Sequence, residues 1–533
     1  MRTSTAISWL VVPAVVGLLL APLAAFFAAG ADLSRLAADP YLRSLKLGSG
    51  AAALALILGL PAGWALAGAG RGSRWMLSGA LAVLLVPPYL AASVWLIFAG
   101  KLGLVGFSDR ALSLVPEAMR GFLEGWNLVG AAAVLAGSLW PCVALSAAGA
   151  LAAVGREERE AALLARGRWG RFVGVELPAA LPAALAGAAL VFALAATEVG
   201  ATDLFLVNAA TRDILKGFEV SHDYSASAGR ALPLLVFALA GGAGLGLLLV
   251  GRVFPQMATA RIAPAPAGRS PQLHAWALLA ATLGAVLAGL AWNAGSPAAV
   301  ARAATGESGV VLRSLGLAAG GATGALVLGA AAVWAASRAR GRSGAALLAA
   351  ALALLSLPLI LPGTLWGIGA LRLREWTGDA GAWLFDGPLM LVWSGAARGA
   401  FAAAAIIEAG RRSTASELFE AARLAGAGRV DRLWLAIRLM PGHVAAAWLV
   451  AGALALGELG AAVQIAPPGW DTLQVRVFNE MHNYHGVTTA ALAFLTTAAT
   501  AAVAALVALL PHRSDRSYTT HGTNDQERSR TRC

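Results

Sequence analysis

Long apolar runs alternate with short polar connections along the whole chain. Twelve such runs fall near residues 7–29, 45–69, 75–100, 127–153, 180–202, 231–252, 273–292, 312–336, 345–370, 386–409, 442–464 and 487–510. An apolar run of about 18 or more residues with few charges is long enough to cross a bilayer as a helix. The pattern predicts an all-α, polytopic membrane protein with about 12 transmembrane helices. The first run follows Arg2. It is longer than a signal-peptide core and no A-x-A site ends it, so it reads as a retained first span.

Composition narrows the class. The 533 residues are 59% hydrophobic and only 13% charged, against about 25% charged in soluble domains. The net charge of +12 raises the question of nucleic acid, but no basic patch is interleaved with exposed aromatics. The arginines gather instead in alternate loops: Arg71 and Arg74, Arg156 to Arg171, Arg252 to Arg269, Arg338 to Arg342, Arg411 to Arg438, and the tail. The opposite loops carry acids such as Asp109, Glu117 and Glu124. Basic loops mark the cytoplasmic side, and an even number of spans then puts both termini there. The partner that the charge implies is the lipid bilayer, not nucleic acid. Two cysteines, Cys142 and Cys533, make neither a disulfide framework nor a metal cluster.

The chain also repeats. LRSLKL (42–47) and LRSLGL (312–317) lie 270 positions apart, and Gly59 and Trp64 find Gly329 and Trp334 at the same offset. EAA at 160–162 and 420–422, and Glu198 and Glu458, share an offset of 260. The longer outer loop 101–126 accounts for the slip. The expected organisation is a first repeat of six spans (1–253), a Pro- and Ala-rich cytoplasmic linker (254–271), a second repeat of six spans (272–510), and a polar, disordered cytoplasmic tail (511–533). Six spans per half give a parallel repeat, with a pathway between the halves.

Each half has its longest basic loop between its fourth and fifth spans, at 155–178 and 410–441. In the second, Thr414 and Glu417 have capping-box spacing. Phe419, Ala422 and Ala425 fall on one side of a short helix, and Glu417, Glu420 and Arg423 on another. Gly426 suits a left-handed helix end. A second short helix with Leu433, Trp434 and Ile437 leads to Pro441. In the first loop, Glu157 and Glu158 suit a helix start, and Gly167, Trp169, Phe172 and Pro178 fill the corresponding roles.

An EAA triplet, a glycine several residues on and a later hydrophobic-Pro pair resemble the EAA loop of ABC importer permeases. The resemblance covers essentially the whole chain and occurs twice, as in the fused form with two permease domains. LLVPPYLAASVWL and GELGAAVQIAPPGWDTLQVRVFNEMHNY are similar to the iron(III) branch of that family, to which thiamine, sulfate and polyamine permeases are related. The resemblance implies that Glu160, Ala161, Ala162, Gly167, Glu420, Ala421, Ala422 and Gly426 form coupling helices. It further implies two copies of a cytoplasmic ABC ATPase, an extracytoplasmic solute-binding protein, and a bacterial inner-membrane location. The glycine follows Glu160 by seven residues but Glu420 by six, so the first loop has room to dock differently.

The chain itself carries no G-x-x-x-x-G-K-[ST], so a partner must hold any ATP. No nucleophile-base or metal constellation stands at a plausible spacing, and the expectation is a non-catalytic subunit without cofactor. Glu198 and Glu458 sit in or near apolar spans, where an acid costs roughly 2.5–3.5 kcal/mol on insertion scales. Two readings stand: they line or gate a path between the halves, or they accept local hydrogen bonds or snorkel to the outer surface. Pro87, Pro88, Pro358 and Pro362 predict kinks in the third span of each half, serving either a gate or a fixed bend. His482 and His485, with Glu480 nearby, are a weak metal pattern. The rival functional classes are an ion-coupled secondary transporter, which has no need of EAA loops, and a membrane enzyme or polymer flippase, which needs a polar catalytic cluster.

Overall fold

The computed structural model describes residues 2–34, 36–68, 71–99, 117–255, 269–339, 341–414, 418, 421–422, 424–482 and 486–510. Among them there is helix and no strand. Among the described residues ten helices are long and apolar enough to cross a membrane, as a multi-pass membrane protein requires: Trp9–Phe27, Ala38–Leu66, Asn127–Ala153, Glu157–Ala196, Tyr224–Val253, Arg269–Ala294, Ser308–Arg338, Gly341–Ile360, Leu389–Ser413 and Gly486–Leu509. The third apolar run instead forms two helices, Gly72–Leu85 and Pro88–Trp95, bent by 86°. The eleventh run, expected over 442–464, yields only the 16-residue helix Pro441–Leu456. Gly457 caps it there, and the Glu458 carboxylate accepts from the Ala461 amide ahead.

Two three-helix groups form the packed centres. In one, α2 (Ala38–Leu66), α5 (Glu117–Ala153) and α7 (Leu177–Ala196) pack on one another. In the other, α14 (Ser308–Arg338), α18 (Leu389–Ser413) and α20 (Pro441–Leu456) do the same. Lipid offers helices little hydrophobic reason to associate, so close backbone packing between small residues carries the contact. A Cβ on Gly59 of α2 would stand 2.6 Å from the Trp140 carbonyl oxygen of α5 and 3.2 Å from the Ala144 nitrogen. A Cβ on Gly329 of α14 would stand 3.0 Å from the Ala400 oxygen of α18 and 2.9 Å from the Ala404 nitrogen. The offsets of 270 and 260 that relate the sequence motifs also relate these contacts.

The remaining helices cross between the groups. The N-terminal helix α1 (Arg2–Phe27) packs on α14 and on α17 (Gly363–Thr377), and the Trp366 indole donates to the Leu19 carbonyl at 3.1 Å. Reciprocally, α11 (Arg269–Leu279) packs on α2. It runs on through a wider π-helical stretch, Ala280–Gly284, into α12 (Ala285–Ala294). α12 packs on α4 (Pro88–Ala99) and α23 (Gly486–Leu509). In turn α23 lies on α3 (Arg71–Leu85), while α10 (Tyr224–Leu248) lies on α15 (Gly341–Leu355).

The LRSL motifs acquire a job here. Ser44 Oγ accepts from the Ala210 amide at 3.0 Å, at the start of α9 (Ala210–Ser221). Ser314 Oγ accepts from the Leu473 amide at 2.7 Å, at the start of α22 (Leu473–His482). Each serine satisfies an amide that the first turn of a helix leaves without a partner.

Gly59→Ala and Gly329→Ala should each destabilise the protein by about 1–3 kcal/mol through overpacking. A Cβ on Gly241 meets nothing within 4 Å, so Gly241→Ala should be neutral or stabilising. Thermal unfolding of the three variants in detergent checks this; an equal shift for all three would refute the packing account.

Candidate functional site at the broken spans

α7 ends at Ala196, and two residues later Glu198 folds its carboxylate onto the next turn. Glu198 Oε1 accepts from the Gly200 amide at 3.0 Å, and Oε2 from Ala201 at 2.7 Å and Thr202 at 3.3 Å. These are the free amides at the start of the short helix α8 (Gly200–Leu204), where a negative charge is favoured. After α20, Glu458 Oε1 likewise accepts from the Ala461 amide at 2.8 Å, ahead of α21 (Ala462–Ile465). Its Oε2 stands 3.1 Å from Arg398 Nε of α18. Both acids therefore have local backbone partners, as the second of the two sequence readings expects.

The third spans break where the prolines predict. α3 ends at Leu85 and α4 begins at Pro88. α15 gives way to the single turn α16 (Leu357–Ile360), and α17 starts at Gly363 after Pro362. Pro362 has no N–H to offer the Pro358 carbonyl four residues back. Arg398 Nη1 takes that oxygen at 2.8 Å and reaches the Leu359 and Leu361 carbonyls at 3.4 Å each. The intervening Ile360 carbonyl accepts from Thr197 Oγ1, at the end of α7, at 2.6 Å. A buried break is thus closed by one guanidinium beside it and one hydroxyl from the other helix group.

The second contact of this kind mirrors the first. Thr197 precedes Glu198 and meets the break at 358–361; Gly457 precedes Glu458, and a Cβ on it would lie 3.2 Å from Pro87 Cγ at the other break. So Glu198, Glu458, Pro87 and Pro362 come together at the junction of the two groups, and Pro88 begins the helix beyond the first break. Gly363 is needed for space: a Cβ there would lie 2.2 Å from Glu458 Oε1. The sequence reading missed Arg398. It is the only charged residue between Leu389 and Ile407, and a lone arginine in an apolar run is the signal that points to it.

The connecting segments hold the other candidates. The first is not a loop: α6 (Arg156–Arg171) passes through the π-helical stretch Phe172–Glu176 directly into α7. Gly167 interrupts α6 with φ +66°, ψ −172°. Glu160 and Ala161 are exposed and Ala162 half-buried, and Leu164 is 88% exposed. The far end of the segment is braced by the buried Glu176. Its carboxylate lies 3.2 Å from Arg171 Nε and accepts from the Trp64 indole at 3.0 Å.

In the second segment Thr414 donates its hydroxyl back to the Gly410 carbonyl at 2.9 Å, closing α18. Glu417 and Phe419, with Glu420, lie outside the described residues. Ala421 and Ala422 are helical, and the helix closes with the Ala427 amide on the Ala422 carbonyl at 3.0 Å. That reverse turn requires a positive φ at the penultimate residue, and Gly426 supplies +77°. Leu424 is 83% exposed. α19 (Arg429–Leu439) follows, with Trp434 exposed. The buried Glu408 near the end of α18 is held by Arg411 at 2.7 Å and Arg412 at 2.6 Å.

A cavity of about 300 Å³ opens among α17, the start of α18 and α21, lined among others by Phe385, Met390, Gln464 and Pro467. Arg374 and Asp386 at its edge are bonded at 2.7 and 2.8 Å. The hydrogen bonds from Arg374 hold the Asp386 carboxyl below its ordinary range. Among the described residues no group of three or more His, Cys, Asp or Glu gathers to hold a metal. His482 is the last residue of α22, while its side chain and His485 lie outside the described residues.

Gly363→Ala should push Glu458 off the Ala461 amide and off Arg398. A fall of about 1–3 kcal/mol in stability is expected for a displaced buried carboxylate, whereas Gly316→Ala, inside α14 with open space around it, should be neutral or stabilising. Unfolding midpoints that rank the two the other way would refute the close approach. No family model matches the chain, and no curated protein matches it either.

Proposed function

We propose that the chain is the membrane subunit of an ATP-driven importer of the ABC class, built from two parallel six-span halves. One observation carries this reading. Leu164 and Leu424 lie 260 positions apart, four residues after Glu160 and Glu420, and both are almost fully exposed, at 88% and 83%. Each stands on a short helical segment interrupted or ended at a positive-φ glycine, Gly167 or Gly426. A short helix that presents an apolar side chain suits a groove on a partner, and two such helices suit two grooves. Two cytoplasmic ATPase copies, one per segment, fit that demand.

The Glu176 brace supports the lever role of the first segment. Arg171 and Trp64 tie its end to α2, so force on α6 reaches the packed centre through a fixed joint. ATP binding would draw the two coupling segments together and open the junction to the outer side, and hydrolysis would reverse it. The solute arrives on an extracytoplasmic binding protein. Iron(III) is the proposed cargo, with thiamine, sulfate or a polyamine as alternatives. In this reading both termini lie in the cytoplasm and the chain performs no catalysis.

Leu164→Asp and Leu424→Asp, made singly and together, test the proposal in a strain expressing the chain with its neighbouring genes. The double variant should insert normally, lose a copurifying ATPase, and lose at least tenfold in ATP-dependent uptake. Uptake at the unaltered rate in a correctly inserted double variant would refute it.

A further inference from the structure

The surroundings of Arg398 are made of oxygens. Its guanidinium meets the carbonyls of Pro358, Leu359 and Leu361 and the Oε2 of Glu458. The carbonyls belong to the end of α16, where helix partial charge is negative, and the Pro358 oxygen is left free because Pro362 has no N–H to give it. Such a set of carbonyl and carboxylate oxygens is the donor set that hard cations take. The position 260 residues earlier holds Ser138, so no equivalent arginine fills the first break.

We propose that this shell is a cation-binding site between the halves, occupied in the closed form by the chain's own Arg398 guanidinium, and that the solute crossing the junction is a cation that takes the shell when Arg398 withdraws. The binding shell stands on the geometry alone; the passage of cargo rests on the importer reading. Three features make the shell a site rather than an isolated ion pair. Glu458 is anchored by the Ala461 amide, so it stays in place when Arg398 leaves. Thr197 takes the Ile360 carbonyl and leaves its three neighbours to the cation. Gly363 keeps the space beside the carboxylate clear. Arg398 itself is a single tethered side chain, about a quarter exposed, at 28%, and can swing without breaking a helix.

The test is chemical rescue of the purified full-length chain. Arg398→Ala should unfold at a lower temperature than the unaltered protein. Guanidinium chloride, at concentrations far below denaturing ones, should restore at least half of that loss, while sodium chloride of equal strength should not. Glu458→Gln in the same chain should abolish the restoration. No difference between the two salts would overturn the site. Where Arg398→Ala does not insert, Arg398→Lys and Arg398→Gln replace it: the ammonium should hold the midpoint near that of the unaltered protein and the amide should not, and equal midpoints would overturn the site. In vesicles containing the ATPase, uptake of iron(III) supports a cationic cargo, and uptake of sulfate instead overturns it while leaving the importer reading intact. Absence of any copurifying ATPase would overturn the importer reading and leave the rescue result standing.

Discussion

Every backbone carbonyl or amide freed inside an apolar environment must find a partner, and the junction between the two helix groups is organised by that demand. In hydrocarbon an unpaired peptide group costs several kcal/mol, so a proline break in a span survives only where side chains take over the lost bonds. At 358–361 the replacements are Arg398 and Thr197. At the ends of α7 and α20 the freed amides are taken by Glu198 and Glu458. The charged residues near the middle of the protein are therefore there first to satisfy backbone. That same role places them together, two acids and one base, at the one place where both groups meet both breaks.

Around the junction the helices are held by the absence of side chains. Gly59, Gly329 and Gly363 are each occupied by a neighbour's backbone or carboxylate within 3 Å of where a Cβ would be. Contacts of this kind are rigid, because a backbone cannot rotate out of the way as a side chain can. The consequence is two stiff three-helix groups with a polar, hydrogen-bonded seam between them.

Much of this was legible in the sequence, for physical reasons. Long apolar runs have few alternatives to crossing helices, so ten of them appear as such. Pro87, Pro88 and Pro362 lie at breaks because proline cannot complete the helical ladder. The positive φ of Gly426 followed from its place after a helical run. What stayed hidden was long-range. The segment 155–178 reads as a loop because of its charges, yet it is a helix continuous with α7, since Gly167 and the π-helical stretch after it bend the path without ending it. The eleventh run is apolar enough to cross, but its helix is capped at Gly457, and Glu458 accepts from the Ala461 amide ahead. Arg398 escaped notice because nothing within its own run says what it touches; its partners lie 37 to 60 positions away. Ser44 and Ser314 were seen only as parts of a repeated motif, and their work as acceptors for distant helix starts needed the fold.

The packing of α1 sets a schedule for assembly. Leu19 receives its indole partner from a residue 347 positions later, so α1 waits for that partner until α17 has been made. The reciprocal docking of α11 on α2 means that the first helix group remains structurally incomplete until the helices after residue 269 arrive. Contacts so distant along the chain are slow to form. Carrying both helix groups on one polypeptide keeps the waiting helix tethered to its eventual neighbour, sparing it a search for a separate chain.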